Sequence, residues 1–336
     1  MSVKALSIKD IAKKANVSIT TVSFIINGKA EEKHISAAVI KRVQDIIEAD
    51  GYKPNQVARS LRTGNSQIIA LMVEDISNPF FAGIARLIEE KAYRKGYKII
   101  FSSTENDPAK TKELLELFKS RQVDAYIISP AEGALNDVKQ LMSEGKPVVL
   151  FDRCLTGLEA SFIGVDHFHA SYTATQYFTG KGKKQVAMVT VDLDVMQITD
   201  RQNGYQQALQ DASLVVDEQL VLKIPFNLAR EEAVKLLMKF FKAHPQIDGV
   251  LFGTNYLAIS GLLALKEMGK ELDESFGVIA YDDGDIFKLH SPQISAVAQP
   301  LEQIADGIVK LIFKQLKATT PIEAEEIIFP AKLIIR

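Results

Sequence analysis

The chain has 336 residues, 47% hydrophobic and 24% charged, with a net charge of −2. That length suits two or three domains, and that composition excludes a disordered chain. Cys154 is the only cysteine, so disulfides do not staple the fold and a reducing cytoplasm is the expected setting. No apolar run approaches the roughly 20 residues of a membrane span, and the N-terminus reads as a polar helical pattern rather than a signal peptide. The charge is uneven. Residues 1–66 hold 11 Lys/Arg against 6 Asp/Glu, a net of +5, which leaves −7 for the remainder. A small basic head on a larger acidic body suggests that the head binds a polyanion.

Residues 7–15 read as a short helix capped by Ser7, with Asp10 in its first turn and an apolar stripe of Ile8, Ile11, Ala12 and Ala15. Asn16-Val17 makes a turn. Ser18 caps a second helix to about Ile26, buried through Val22 and one or both of Ile25 and Ile26, and Asn27-Gly28 stops it. Ser36 caps a third helix to about Asp50, with Val39, Val43, Ile46 and Ile47 inward. Three short helices with a tight turn between the first two predict a helix-turn-helix unit. Residues 54–62 predict one more helix, too short to be stable without a partner.

From Gln67 strands and helices alternate. Apolar strands are expected near 67–73, 97–102, 123–128 and 146–151, with helices near 80–95, 109–120 and 134–144. A second series has strands near 185–190, 219–223, 248–252 and 276–280 and helices near 168–179, 200–212, 229–243 and 256–268. A last strand is expected at Lys332–Ile335. Two tandem α/β series predict two parallel-sheet subdomains with a cleft between them, at the carboxyl ends of the strands.

Ile11-Ala12-Lys13-Lys14-Ala15-Asn16-Val17-Ser18-Ile19-Thr20-Thr21-Val22-Ser23 resembles the N-terminal signature of the lac repressor/galactose repressor (LacI/GalR) family of bacterial transcription regulators. Gly51-Tyr52-Lys53-Pro54-Asn55, Val57-Ala58-Arg59-Ser60-Leu61 and Ala280-Tyr281-Asp282-Asp283 resemble further blocks of that family, in order, over nearly the whole chain. The resemblance implies a three-helix head at 1–53, a hinge helix and linker at 54–66, and a bilobed, periplasmic-binding-protein-like sensor at 67–336. Its first subdomain would take about 67–165 plus 298–326, and its second about 166–297 plus 327–336. It also implies a homodimer on a pseudo-palindromic operator, controlled by a small-molecule effector, with a sugar or sugar derivative as the leading expectation. No heptad tail follows Lys332–Ile335, so a dimer rather than a tetramer is expected.

By the same resemblance, Ile19 and Thr20 of the second helix read base edges in the major groove, where the four base pairs are distinguishable. Ser7, Ser18, Thr21, Ser23, Asn27, His34, Tyr52 and Asn55 contact the backbone or position the helix. Phe24 departs from the Arg or His often found in the family. It either touches a thymine methyl or lies against the protein surface. Ala58 and Leu61 match the hinge, whose Leu wedges into the minor groove. The loop 28–33, longer than in the lac repressor, reads as solvated.

For the effector the resemblance nominates Arg201, Phe226, Asn255, Asp282 and Gln299 in or near the second subdomain. Asn78, Phe80, Phe81, Asp152 and Arg153 come from the first. Arg offers a donor fork, Asn both a donor and an acceptor, and Asp two acceptors, a set suited to a polyol. Structural alternatives stand beside these roles: an Arg201–Asp282 ion pair, one of Phe80 and Phe81 in the core, and Asp152-Arg153 as a capped turn. Val195 stands where a purine-sensing relative uses Arg, which argues against a purine. His167-x-His169 reads as a satisfied or exposed pair rather than a metal site, and Gly180–Lys184 as a turn lacking phosphate-loop spacing. Glu323–Glu326 reads as a solvated connector. No cofactor, metal or catalytic constellation is expected. A plain solute-binding protein and an enzyme with a DNA-binding head remain the other classes.

Overall fold

The computed structural model describes residues 6–52 and 64–336. The chain divides into two compact units, Met1–Ser66 and Gln67–Arg336. The expected hinge helix at 54–62, with Asn55, Ala58 and Leu61, lies outside the described residues.

The head contains α1 (Ile8–Ala15), α2 (Ile19–Ile26) and α3 (Ala37–Ala49). Ser7 and Asp10 cap α1 reciprocally: the Asp10 amide donates to Ser7 Oγ and the Ser7 amide to the Asp10 carboxylate, satisfying donors the first turn leaves open. Asn16 takes the left-handed φ of 49° that reverses the chain into α2. Ser18 Oγ accepts from the Thr21 amide at 3.0 Å. Ser36 differs from expectation: its extended backbone starts α3, but its hydroxyl makes no capping bond. Ile11, Ala15, Val22, Ile25 and Val43 fill the head's core. Ala30 joins them, so the loop expected to be solvated is anchored at its middle.

The second unit has two lobes, each with a six-stranded sheet. The first has the order β11-β5-β4-β3-β1-β2 and the second β12-β10-β9-β8-β6-β7, so each strand of one sheet has a counterpart in the other. The first lobe uses β1 (Ile68–Val73), β2 (Lys98–Ser103), β3 (Ala125–Ile128), β4 (Val148–Phe151), β5 (Ser161–Val165) and β11 (Glu326–Phe329). The second uses β6 (Val186–Asp192), β7 (Val221–Pro225), β8 (Gly249–Phe252), β9 (Gly277–Tyr281), β10 (Ser295–Ala298) and β12 (Lys332–Ile334). All pairings are parallel except β10 with β12. Strands such as Ala125–Ile128 and Gly249–Phe252 are buried at every position, because helices cover both faces of each sheet.

The helices of the first lobe are α4 (Pro79–Tyr93), α5 (Pro108–Ser120), α6 (Leu135–Ser143) and α12 (Leu301–Lys317). Those of the second are α7 (His167–Gly180), α8 (Met196–Asp211), α9 (Arg230–Ala243), α10 (Asn255–Glu267) and the short α11 (Asp285–Leu289). α7 and α8 pack so closely that a Cβ on Gly204 would lie 2.1 Å from the Phe168 carbonyl oxygen.

The chain crosses between lobes three times: between β5 and α7, between β10 and α12, and at Pro330-Ala331 between β11 and β12. The last crossing corrects the sequence reading, which gave 327–336 to the second lobe. Residues 327–329 pair with β5 of the first lobe, and Glu326 opens that strand rather than ending a connector. The strand is only four residues long, half-exposed at the sheet edge and entered from the acidic run Glu323–Glu326, so in sequence it merges with the connector before it.

Candidate nucleic-acid interface and effector cleft

In the head, α2 presents Ile19, 44% exposed, and the exposed Thr20 at its N-terminal end. The neighbouring polar residues are mutually held. The Ser18 and Thr21 hydroxyls bond at 2.8 Å, and Asn27 Nδ2 donates to the Ser23 carbonyl at 2.6 Å. The Ser7 hydroxyl donates to Asp10 at 2.7 Å. Tyr52 is half-buried against the head's core, and burial raises its phenol pKa. His34 is exposed with a left-handed φ of 51°. Phe24 is half-buried, with Lys33 Nζ 5.6 Å from its ring centroid, so the 28–33 loop folds back over the ring.

In the second unit, most of the nominated effector residues converge where strands of both sheets end. They surround a cavity of about 50 Å³ lined by Asn78, Phe80, Phe81, Asp152, Arg153, Arg201, Asp282 and Gln299, among others. Asp152 follows β4 and Asp282 follows β9, the equivalent strands of the two sheets. Both take a φ of 64°, a left-handed conformation that Asp tolerates better than most residues. The two lobes therefore offer a pair of carboxylates in equivalent places.

The second lobe's side of the cleft is a connected network. Asp282 accepts from Asn255 Nδ2 at 2.9 Å and from Gln299 Nε2 at 2.7 Å. The same Asn255 amide reaches Asn78 Oδ1 of the first lobe at 2.8 Å. Asn78 also caps α4 by accepting from the Phe80 amide. Arg201 is 5% exposed and makes no direct ion pair with Asp282 among the described residues. Its Nη1 donates to the Gly253 carbonyl at 2.6 Å, and its guanidinium lies 3.8 Å from the centroid of the Tyr281 ring. Arg201 Nε faces His167 Nδ1 at 3.4 Å, and Nδ1 lies 2.8 Å from the Tyr281 hydroxyl. Burial and the nearby Arg201 hold the His167 pKa well below its ordinary value, so the imidazole is neutral. Nδ1 is then the acceptor for these donors.

The first lobe's side is built on Arg153, which pairs with Glu74 at the end of β1 and donates to Asn106. Asp152 accepts from Ser129 Oγ at 3.2 Å and lies 3.4 Å from Gln197 Nε2 across the cleft. Burial raises its carboxyl pKa to about 6 against the opposing pull of Arg201. Phe80 and Phe81 are both core residues and both line the cavity.

Two nominated residues fall outside the cavity lining. Asn255 stands beside it as the tie between Asn78 and Asp282. Phe226 follows β7 and packs against the second lobe's core, lining with Tyr256 and Leu257 a separate cavity of about 170 Å³. Tyr256 borders both cavities and takes the place at the cleft wall expected for Phe226. Val195 precedes α8 and packs against the second lobe's core, also outside the lining. Sequence reasoning missed Glu74, Asn106, Ser129, Gln197, Tyr256 and Tyr281. Glu74 and Ser129 directly follow β1 and β3, so the strand-end rule alone would have found them. His167 was noticed only as half of a weak metal motif.

Residues 7–55 match the family model of bacterial regulatory proteins of the lacI family. Residues 66–316 match that of periplasmic binding proteins and the sugar binding domain of the LacI family. The chain is 30% identical over 314 residues to the sucrose operon repressor of Lactococcus lactis subsp. lactis, covering 93% of each. It is 28% identical over 311 residues to the transcriptional repressor PurR of Histophilus somni, covering 92% of each. It is also similar to the crystal structure of a periplasmic binding protein/LacI transcriptional regulator from Alkaliphilus metalliredigens complexed with D-xylulofuranose. There the TM-score is 0.69 and the identity 25%, over 80% of this chain and 98% of that one.

Proposed function

The chain belongs to the LacI family of helix-turn-helix transcription regulators, and from that premise we propose that it is a homodimeric repressor of a pseudo-palindromic operator that responds to a sugar-like effector. The observation that carries this reading is the convergence of Asp152, Arg201, Asp282 and Gln299 on one interlobe cavity, in a chain whose head exposes Ile19 and Thr20 on α2. These side chains offer the paired donors and acceptors that a polyol needs. The cavity they line lies where strands of both sheets end, the place at which open α/β sheets bind ligands.

The cavity's size bears on the mechanism. About 50 Å³ is far below the roughly 300 Å³ at which ligand pockets begin. The lobes part to admit an effector, breaking the Asn255–Asn78 tie, and re-close around it. The effector then acts only through its different affinities for the two arrangements, with a coupling of about 1–3 kcal/mol. Dimerisation is supported by β2, an edge strand that leaves Ile100 and Phe101 each 37% exposed. No helix among the described residues is long and apolar enough to cross a membrane. The Leu61 wedge belongs to this proposal as a hinge contact in the minor groove.

The test is operator selection from genomic fragments, followed by titration of the protein onto the selected DNA at fixed salt, with and without a panel of sugars. At least one sugar is expected to shift operator affinity, by about five- to 150-fold. If no small molecule in the panel moves it, the effector reading is wrong. If no palindromic site is enriched, the operator reading is wrong.

A further inference from the structure

The charges of the cleft do not balance. Three carboxylates face it, Glu74, Asp152 and Asp282, against two guanidiniums, Arg153 and Arg201, while His167 is neutral. Four of the five charged groups have close protein partners. Glu74 and Arg153 hold each other, Asp282 is held by Asn255 and Gln299, and Arg201 by Gly253, His167 and the Tyr281 ring. Asp152 is held by long contacts alone: its side chain is 6% exposed, and it accepts from Ser129 Oγ at 3.2 Å and Gln197 Nε2 at 3.4 Å and lies 3.6 Å from Arg153 Nε. Beside it Gln197, 3% exposed and lining the same cavity, has an Oε1 with no partner. A carboxylate held only at 3.2 Å or more and an amide oxygen with no partner, both acceptors, thus adjoin one part of the cavity.

We propose that Asp152 and Gln197 form an ammonium subsite, and that the effector is an amino sugar or a comparable polyhydroxylated primary amine. This rests on the effector reading of the cleft and narrows it. An ammonium group has three donors and no acceptor, so it serves Asp152 and Gln197 Oε1 together. Its charge brings the cleft to neutrality, and burying a charge is tolerable only when it is paired. A neutral hydroxyl leaves the excess carboxylate in place. A phosphate or carboxylate on the effector adds a second uncompensated charge, so sugar phosphates and sugar acids are excluded.

Below about pH 6 the resting cleft relieves its excess charge by protonation. The carboxyl of Asp152 titrates near pH 6, and the ammonium takes the place of that proton. The groups facing it are Ser129 and Arg153 of the first lobe, Gln197 and Arg201 of α8, and Asp282 at the end of β9. Amine binding therefore weakens as pH falls through about 6 and releases protons there.

The experiment is isothermal titration calorimetry on the full chain. D-glucosamine, D-galactosamine and D-mannosamine are each compared with the neutral parent sugar and the N-acetyl derivative, near neutral pH and near pH 6, in buffers of different ionisation enthalpy. At least one amine is expected to bind about tenfold or more tighter than its parent and its N-acetyl form. Near pH 6 its binding should release protons to the buffer. In the charge-removing variant Asp152→Asn the amine should fall to the affinity of its parent, and Gln197→Leu should weaken the amine more than the parent. Parent sugars that bind as tightly as their amines, or an amine preference that survives Asp152→Asn, overturn the ammonium subsite while leaving a sugar-binding cleft intact. If neutral sugars bind and none of the amines does, the subsite is likewise overturned. If nothing in the panel binds and no sugar shifts operator affinity, the effector reading falls, and this subsite with it.

Discussion

Replacing Asp152 with Asn should make the protein more stable near neutral pH, and by an amount that depends on pH. The side chain is 6% exposed, and its carboxyl pKa stands at about 6 against 3.8 for the free group. An acid whose pKa is raised by folding stabilises the fold while protonated. That contribution is complete below 3.8 and disappears as pH rises through about 6. At 1.36 kcal/mol per pH unit of displacement, ionised Asp152 costs the folded protein about 3 kcal/mol relative to its neutral form. Asn carries no charge, is nearly isosteric, and tolerates the φ of 64° found there. Its amide also supplies a donor beside the unpartnered Gln197 Oε1. The variant should thus melt about 6–12 °C above the parent protein near neutral pH, with the gap shrinking steadily towards pH 4. Thermal unfolding across that pH range, without sugar, measures it. A variant less stable than the parent near neutral pH, or a gap that does not change with pH, would refute the argument that Asp152 is an undersolvated carboxylate.

Three other perturbations have definite expected outcomes. Gly204→Ala puts a Cβ 2.1 Å from the Phe168 carbonyl oxygen and 3.0 Å from the Tyr172 amide nitrogen, so α7 and α8 must separate. Overpacking of this kind costs about 1–3 kcal/mol. It also shifts Arg201 against His167, so both the melting temperature and the response to effector should fall. An unchanged melting temperature would contradict the contact. Ser18→Ala removes the acceptor for the Thr21 amide and should cost the head about 1 kcal/mol. Hydrogen exchange at Thr21 and Val22 in the full chain should speed up correspondingly, while exchange in β8 stays as it was. Phe101→Lys places a charge on the exposed edge strand β2. Sedimentation should show the dimer constant weakened by about a hundredfold, and a dimer of undiminished strength would move the interface elsewhere.

Much of the molecule could be read without coordinates. Ser7 with Asp10 and Ser18 with Thr21 are local capping pairs, separated by three residues, and spacing alone specifies them. The all-apolar runs Ala125–Ile128 and Gly249–Phe252 announce buried parallel strands, because no alternating polar face is present to meet water. The resemblance then supplied Arg201, Asn255, Asp282 and Gln299 as candidates for one site. The edge strand β11 was the main loss in the fold. Its four residues, Glu326–Phe329, are too short a run behind the acidic stretch Glu323–Glu326 to mark the lobe to which the strand belongs.

What only the tertiary structure decided is how the site's charges and hydrogen bonds add up. Glu74, Arg153, Gln197 and Asp282 lie far apart in the chain and become neighbours because two sheets end at one cleft. No local spacing encodes which of them is already partnered. His167, read as one of a satisfied or exposed pair, is buried and faces Arg201, while Phe226 looked like a cleft residue and packs against the second lobe's core. Local sequence sets backbone propensity and capping over a few residues. The partner of a buried charge is set by burial itself, which removes water and makes each remaining neighbour count, and burial exists only once the lobes have come together.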